Sequence, residues 1–267
     1  MSDREFKRHR WLNAVNPSFK LLVIAMLFII YLAVHDLNTM LWAALLFSFI
    51  YLSMSGFSRG LALMLFVLSV VLALLSTTAM VCFGQGMHIL FEFGLIRISR
   101  ESLGRGMLLG LRTLTFAVIS LVFASTTEPV PFFYSLMQQL RLPARYAYGF
   151  LAAFRLLPMM AGEFVTLRQA MKVRGLAEKK GPKAFYARMR RYSLTMLAQA
   201  IRRAQRTAVA MAAKRFSLTG KRTYYYSIGW SGRDIEFVLI ILGTVVLAFW
   251  LGTFAPLTPF VNVFDNY

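Results

Sequence analysis

Leu61-Ala-Leu-Met-Leu-Phe-Val-Leu-Ser-Val-Val-Leu-Ala-Leu-Leu-Ser-Thr-Thr-Ala-Met-Val-Cys-Phe83 runs for 23 residues without a charged side chain. A helix of that length reaches roughly 35 Å, enough to cross a hydrocarbon core of about 30 Å. Working outward, Leu37–Met54 is a second apolar run, separated from the first by the turn Ser55-Gly-Phe-Ser-Arg-Gly60. Before it lies Pro17–His35, apolar from Phe19 to Val34 except for Lys20 at its edge. A cleaved signal peptide would need a small-residue cleavage site, and only His35-Asp36 follows. Leu103–Thr127, interrupted by Arg105 and Arg112, and Ile235–Phe254 complete five expected spans. The fold expected is an all-α integral membrane protein, with Gly84–Ser102 as a mixed outer loop.

The composition agrees with that reading. Of 267 residues, 58% are hydrophobic and 15% charged, against about 45–50% and about 25% in soluble domains. The chain is also too apolar for a disordered one. Its charge is lopsided, 30 Lys and Arg against 11 Asp and Glu, for a net +19. Between Arg141 and Arg233 lie 20 of the 30 basic residues and two acids, Glu163 and Glu178. The positive-inside bias puts this segment and the N-terminus on the cytoplasmic side, and the C-terminal tail outside. Arg97 and Arg100 in the outer loop run against that bias, with Glu92 and Glu101 nearby. Three regions follow: a membrane region of four spans, 1–127; a basic cytoplasmic region of long helices, partly membrane-associated, 128–233; and a last span with its outer tail, 234–267.

The basic region is patterned as helices. Tyr146, Phe150, Phe154 and Leu157 recur every three or four residues, as one helix face does. Pro158 is expected to kink or break that helix. A new helix is expected from about Ala161 to Arg174, with Phe164, Leu167 and Met171 on one face and Gly175 ending it. After the turn Glu178–Pro182, a longer helix is expected over about Ala184–Phe216. Phe185, Met189, Tyr192 and Met196 line one side of it; Arg188, Arg191, Arg202 and Arg206 fall on a polar side. Ala200, Ala204, Ala208 and Ala212 form a ladder at spacing four, which lets two backbones approach closely. Two long amphipathic basic helices of this kind suit the inner membrane surface.

Several chemistries find no support. Cys82 is the one cysteine and reads as a small buried residue; His9, His35 and His88 are scattered, without metal-ligand spacing. The 11 acids are spread singly, and no paired carboxylates of a membrane-facing catalytic pocket stand out. Gly104-Arg-Gly-Met-Leu-Leu-Gly110 lacks the Lys-Ser/Thr of a phosphate loop and reads as a helix-contact surface. Tyr224-Tyr-Tyr226 beside Lys221-Arg222 matches either an interfacial aromatic belt or a base-stacking patch of a membrane-anchored nucleic-acid binder, and the belt is preferred. An autonomous channel or carrier is a further alternative, although no internal inverted repeat is visible. Arg112 within its span either pairs inside the protein, with Glu128 or backbone carbonyls, or snorkels to the interface.

Two helix ends look alike: Ala170-Met-Lys-Val-Arg-Gly175 and Ala210-Met-Ala-Ala-Lys-Arg-Phe216. As a pair on a basic insert between spans, they resemble the two Ala-Arg-Gly motifs of the T component of energy-coupling factor transporters. Asn16-Pro17-Ser18-Phe19-Lys20-Leu21-Leu22, Arg112 followed by Ser125-Thr126-Thr127-Glu128-Pro129, Leu140-Arg-Leu-Pro143, and Phe154-Arg-Leu-Leu-Pro158 with Glu163 resemble further family motifs in the same order. Val173 stands where the family has Ala, Lys214 where it has Arg, and Arg215 where it has Gly. Gly220 is placed to end the second helix instead.

The resemblance implies a non-catalytic coupling subunit in a bacterial or archaeal cell membrane. Its partners would be two ATP-binding-cassette subunits and a membrane substrate-capture S component, with ATP and Mg on the ATPases and no cofactor on this chain. No nucleic acid is implied. Ala170, Arg174 and Gly175, and Ala210, Ala213, Lys214 and Arg215, would meet the ATPases, with Lys214 or Arg215 in the role Arg174 plays at the first end. Met159, Met160, Met171, Met189, Met196 and Met211 would offer adaptable contacts to the S component. The cargo would be a vitamin, a vitamin precursor or a metal ion.

Overall fold

A computed structural model describes residues 15–84, 89–93, 96–175, 181–216, 224 and 228–257. Its helices are α1 (Pro17–Ala33), α2 (Leu37–Met54), α3 (Arg59–Phe83), α4 (Arg100–Thr126), α5 (Pro129–Gln139), α6 (Ala144–Val173), α7 (Pro182–Ala213) and α8 (Gly232–Phe254). One antiparallel hairpin, β1 (Ile89–Phe93) with β2 (Ile96–Ser99), lies in the expected outer loop and pairs Phe93 with Ile96. Ile89–Phe93 is rich in β-branched and aromatic residues and Ile96–Ser99 alternates isoleucine with polar residues, which favours strand there. The protein is otherwise helical among the described residues.

The chain divides into two compact units, 1–132 with 228–267, and 133–227. In the first unit, α2 packs against both α4 and α8, α3 packs along α4, and α1 joins α4. Its core holds Tyr31, Leu37, Met40, Phe47, Tyr51 and Val118, and the Tyr31 and Phe47 rings meet edge to face at 5.8 Å. Glycine makes the α3–α4 contact possible. A Cβ at Gly110 would stand 1.9 Å from Thr77 Oγ1 and 3.0 Å from the Ala73 carbonyl; one at Gly106 would stand 2.6 Å from Val81 Cγ2. The glycine-rich Gly104–Gly110 segment is therefore a helix contact. Arg112 points inward: its guanidinium donates to the Val34 carbonyl just past α1, at 2.7 Å. Pairing with a backbone carbonyl is thus the reading that holds at that residue, and it also ties α1 to α4.

Among the described residues, five helices are long and apolar enough to cross a membrane: α2, α3, α4, α6 and α8. The number matches expectation and the membership does not. At 17 residues, α1 reaches roughly 25 Å, the short end of the spanning range, and α6 meets the criterion by length and composition alone. It does so because it runs unbroken for 30 residues through Pro158. The expected break is absent: a proline removes one N–H, and here the helical pattern on both sides continues in register. Phe133 stacks on Phe150 at 5.0 Å and meets Phe154 at 5.9 Å, bracing the turn before that proline.

Candidate functional site: two matched helix ends

The second unit holds both motif ends. Contacts between α6 and α7 fall in reversed order along the chain. Tyr148 meets Phe216 edge to face at 5.4 Å, Glu163 pairs with Arg203, and Phe164 meets Tyr192 at 5.5 Å. The helices therefore run antiparallel, and the end of α6 lies opposite the end of α7. The stretch of α6 from Tyr148 to Arg174 is roughly 39 Å of helix. Glu163 thus finds its partner across the helix pair, on Arg203.

The two ends have the same backbone. Arg174 (φ −78, ψ 7) and Lys214 (φ −84, ψ 14) occupy the same position, each donating its N–H to the carbonyl four residues back. Gly175 follows at φ +69 and Arg215 at φ +51. At the second end the Arg215 N–H donates to Ala212 O at 3.0 Å and the Phe216 N–H to Met211 O at 2.9 Å. That pair of bonds is the Schellman ending. At the first end the Gly175 N–H donates to Lys172 O at 3.1 Å in the matching position.

The position of the second cap follows. The helix ends at Ala213 with Arg215 in the left-handed conformation, not at Gly220, which lies outside the described residues. A non-glycine residue there costs about 1–2 kcal/mol. The Phe216 ring against Tyr148 offsets part of it. The departure of Arg215 from glycine therefore leaves the geometry of the end intact, and Lys214 stands where Arg174 stands.

Ala170, Arg174, Gly175, Ala210, Ala213, Lys214 and Arg215 are all exposed. Arg174, Lys214 and Arg215 make no ion pair among the described residues. Val173, immediately before Arg174, is 89% exposed, so the first end presents a cation beside bare apolar surface. The Ala ladder is an open face within this chain: Ala200 is half-buried and Ala204, Ala208 and Ala212 are exposed. Of the Tyr224–Tyr226 patch only Tyr224 is among the described residues; Lys221 and Arg222 lie outside them. No group of three or more His, Cys, Asp or Glu side chains able to hold a metal occurs among the described residues.

One constellation is not apparent from sequence. Asn16, Lys20, Thr126 and Asp234 come together in the first unit, all buried. Two signals for it are present there: a lone lysine in an apolar helix, and a Ser-x-x-Asp start at Ser231–Asp234.

A multi-pass helical membrane protein with paired basic helix ends on a separate unit is a recognisable class. Residues 8–225 match the family model CbiQ, described as cobalt transport protein. The chain belongs to that family, the T components of energy-coupling factor transporters. It is 26% identical to the energy-coupling factor transporter transmembrane protein EcfT of Lactococcus lactis, over 90% of this chain and 93% of that protein. It is 27% identical to EcfT of Limosilactobacillus fermentum, over 89% and 92%. Against EcfT of Bacillus subtilis the identity is 25%, over 61% and 64%.

Proposed function

We propose that the chain couples two cytoplasmic ATP-binding-cassette ATPases to a membrane S component. The observation that carries this reading is the pair of like-shaped, exposed cationic ends at opposite ends of the antiparallel α6–α7 pair. Two such ends, well separated, suit two copies of a similar acidic groove better than one partner. Arg174 enters one groove and Lys214 the other, each against a carboxylate, with Arg215 serving as the cap. Lys214 is a point charge without the guanidinium fork, so the second contact is less directional than the first. ATP and Mg belong to the ATPases, whose closure moves the two ends.

The exposed faces of α6 and α7, with Phe150, Phe154, Leu157, Met159, Phe185 and Met189, receive the S component, which carries a vitamin, vitamin precursor or metal ion. The excess of Lys and Arg over residues 141–233 sets this unit and the N-terminus on the cytoplasmic side. Charge reversal tests the reading. Arg174→Glu removes the cation and sets a carboxylate against an acidic groove, and truncating one side of a buried charge pair already costs about 2–5 kcal/mol. ATPase subunits then fail to co-purify while the chain still inserts in the membrane. Full recovery of the ATPases with this variant would overturn the proposal.

A further inference from the structure

Three helix ends far apart in sequence meet at a single buried polar node. Asn16 caps α1, its side chain accepting from the Ser18 N–H at 3.2 Å. Thr126 closes α4, and Asp234 sits in the first turn of α8. Lys20 Nζ donates to the Thr126 carbonyl at 3.1 Å and to its Oγ1 at 3.4 Å. The Asn16 N–H donates to Asp234 Oδ1 at 2.7 Å, and the Ser231 N–H to Oδ2 at 2.9 Å. Lys20 and Asp234 are each 1% exposed, and the carboxylate acts electrostatically on the ammonium. The ammonium lies at the negative end of α4 and the carboxylate at the positive end of α8, so each charge complements a helix dipole.

Buried charges are costly, and a well-packed apolar replacement is often no less stable. Bulk stability alone therefore does not account for this node; its place in the chain does. Just after Thr126 the polypeptide leaves the first unit for residues 133–227, and it returns at Ile228, just before Asp234. Both crossings are anchored here, and α1 is the bar between them.

We propose that Lys20, together with Asn16 and Asp234, is a positioning residue that ties the two roots of the 133–227 unit, so that both roots move as one when that unit is pulled. The geometry stands by itself; the pulling rests on the coupling function proposed above. A merely stabilising lysine would alter yield and thermal stability but not the spacing of the roots under load.

The test uses the full chain in lipid nanodiscs, with Cys82→Ala and spin labels on Glu128→Cys and Gly229→Cys. Both positions are exposed, and a Cβ at Gly229 meets nothing within 4 Å. The parent gives one narrow distance distribution, alone and with ATPase subunits and Mg-ATP. Lys20→Met broadens it without nucleotide, and with the ATPases and Mg-ATP shifts it by about one helical turn, roughly 5 Å. Lys20→Arg restores the narrow distribution. Asp234→Asn broadens it in the same sense and serves if Lys20→Met is not recovered. A distribution as narrow in Lys20→Met as in the parent overturns the proposal, as does a parent whose roots separate on Mg-ATP as far as the variant's. Failure of the parent to bind ATPases overturns the coupling function alone, and the nucleotide-free comparison still decides the tie.

Discussion

The two units use the apolar residues of their helices in different ways. In the first, α2 buries Met40, Ala43, Phe47 and Tyr51 against its neighbours, and the apolar residues left outside on α3 and α8, such as Leu63, Val67, Leu239 and Val246, form faces charged only at the helix starts, as at Arg59 and Glu236. Lipid satisfies such a surface. In the second, Ala147 is the only buried residue of α6 and Tyr192 of α7. Exposed Phe154, Leu157, Phe185, Met189, Leu194 and Ile201 alternate with Arg155, Arg188, Arg191 and Arg202. Neither water nor acyl chains satisfy that mixture alone, and an apolar–cationic surface of this extent suits contact with other molecules. The first unit divides its apolar residues between a buried core and outward apolar faces, whereas the second buries almost none and sets them beside cations.

Substitutions in the two units therefore report on different quantities. The largest expected effect is on binding: Lys214→Ala weakens ATPase capture by about 2–5 kcal/mol, while Arg215→Gly leaves it unchanged. Affinity of the purified chain for its ATPase subunits checks this, and the reverse ranking would give the contact to Arg215. Next comes packing. Gly110→Leu drives a side chain into Thr77 and the Ala73 carbonyl, and overpacking of this kind costs about 1–3 kcal/mol. Gly149→Ala and Gly162→Ala, in open space on α6, instead gain up to about 1 kcal/mol of helix propensity. Thermal midpoints in detergent should move in opposite directions, and a common direction would mean that the units are packed alike.

A smaller effect is expected at the second cap. Arg215→Gly relieves about 1 kcal/mol of left-handed strain, read as slower amide exchange at Arg215 and Phe216. Faster exchange there would show that the arginine side chain, not the backbone, holds the end. The smallest effect is expected for Glu163→Gln. The ion pair with Arg203 is 30% exposed on both sides, and solvent screening limits it to below about 1 kcal/mol. A midpoint shift comparable to that of Gly110→Leu would show that this pair, rather than the aromatic contacts, joins α6 to α7.

Much of the candidate site is legible in the sequence. Ala-Met followed by a cation at a helix end, twice, on a basic insert, is a local pattern and survives intact in the fold. Arg112 is legible as an inward-facing charge, but its partner, the Val34 carbonyl, is not, because a backbone acceptor leaves no mark in composition. Pro158 does not break its helix, since its cost is local and the thirty-residue helix around it outweighs one missing hydrogen bond. Arg215 misleads: side-chain identity argues against a left-handed cap, and the bonds to Met211 and Ala212 with the Phe216–Tyr148 ring contact hold it there. Lys20 and Thr126 lie in motifs that the family resemblance picks out, yet Asp234 does not, and the bond from Asn16 to Asp234 spans 218 residues.

By itself the amino-acid order determined which stretches leave water and where the helices carry their charge. Apolar length measured against a bilayer, and cations counted along a chain, are one-dimensional quantities. Only the tertiary structure decided that the two basic ends face opposite ways and that Lys20 reaches the close of α4 beside Asp234. Those depend on which helix lies beside which, and a buried charge finds its partner through that neighbourhood rather than through its position in the chain.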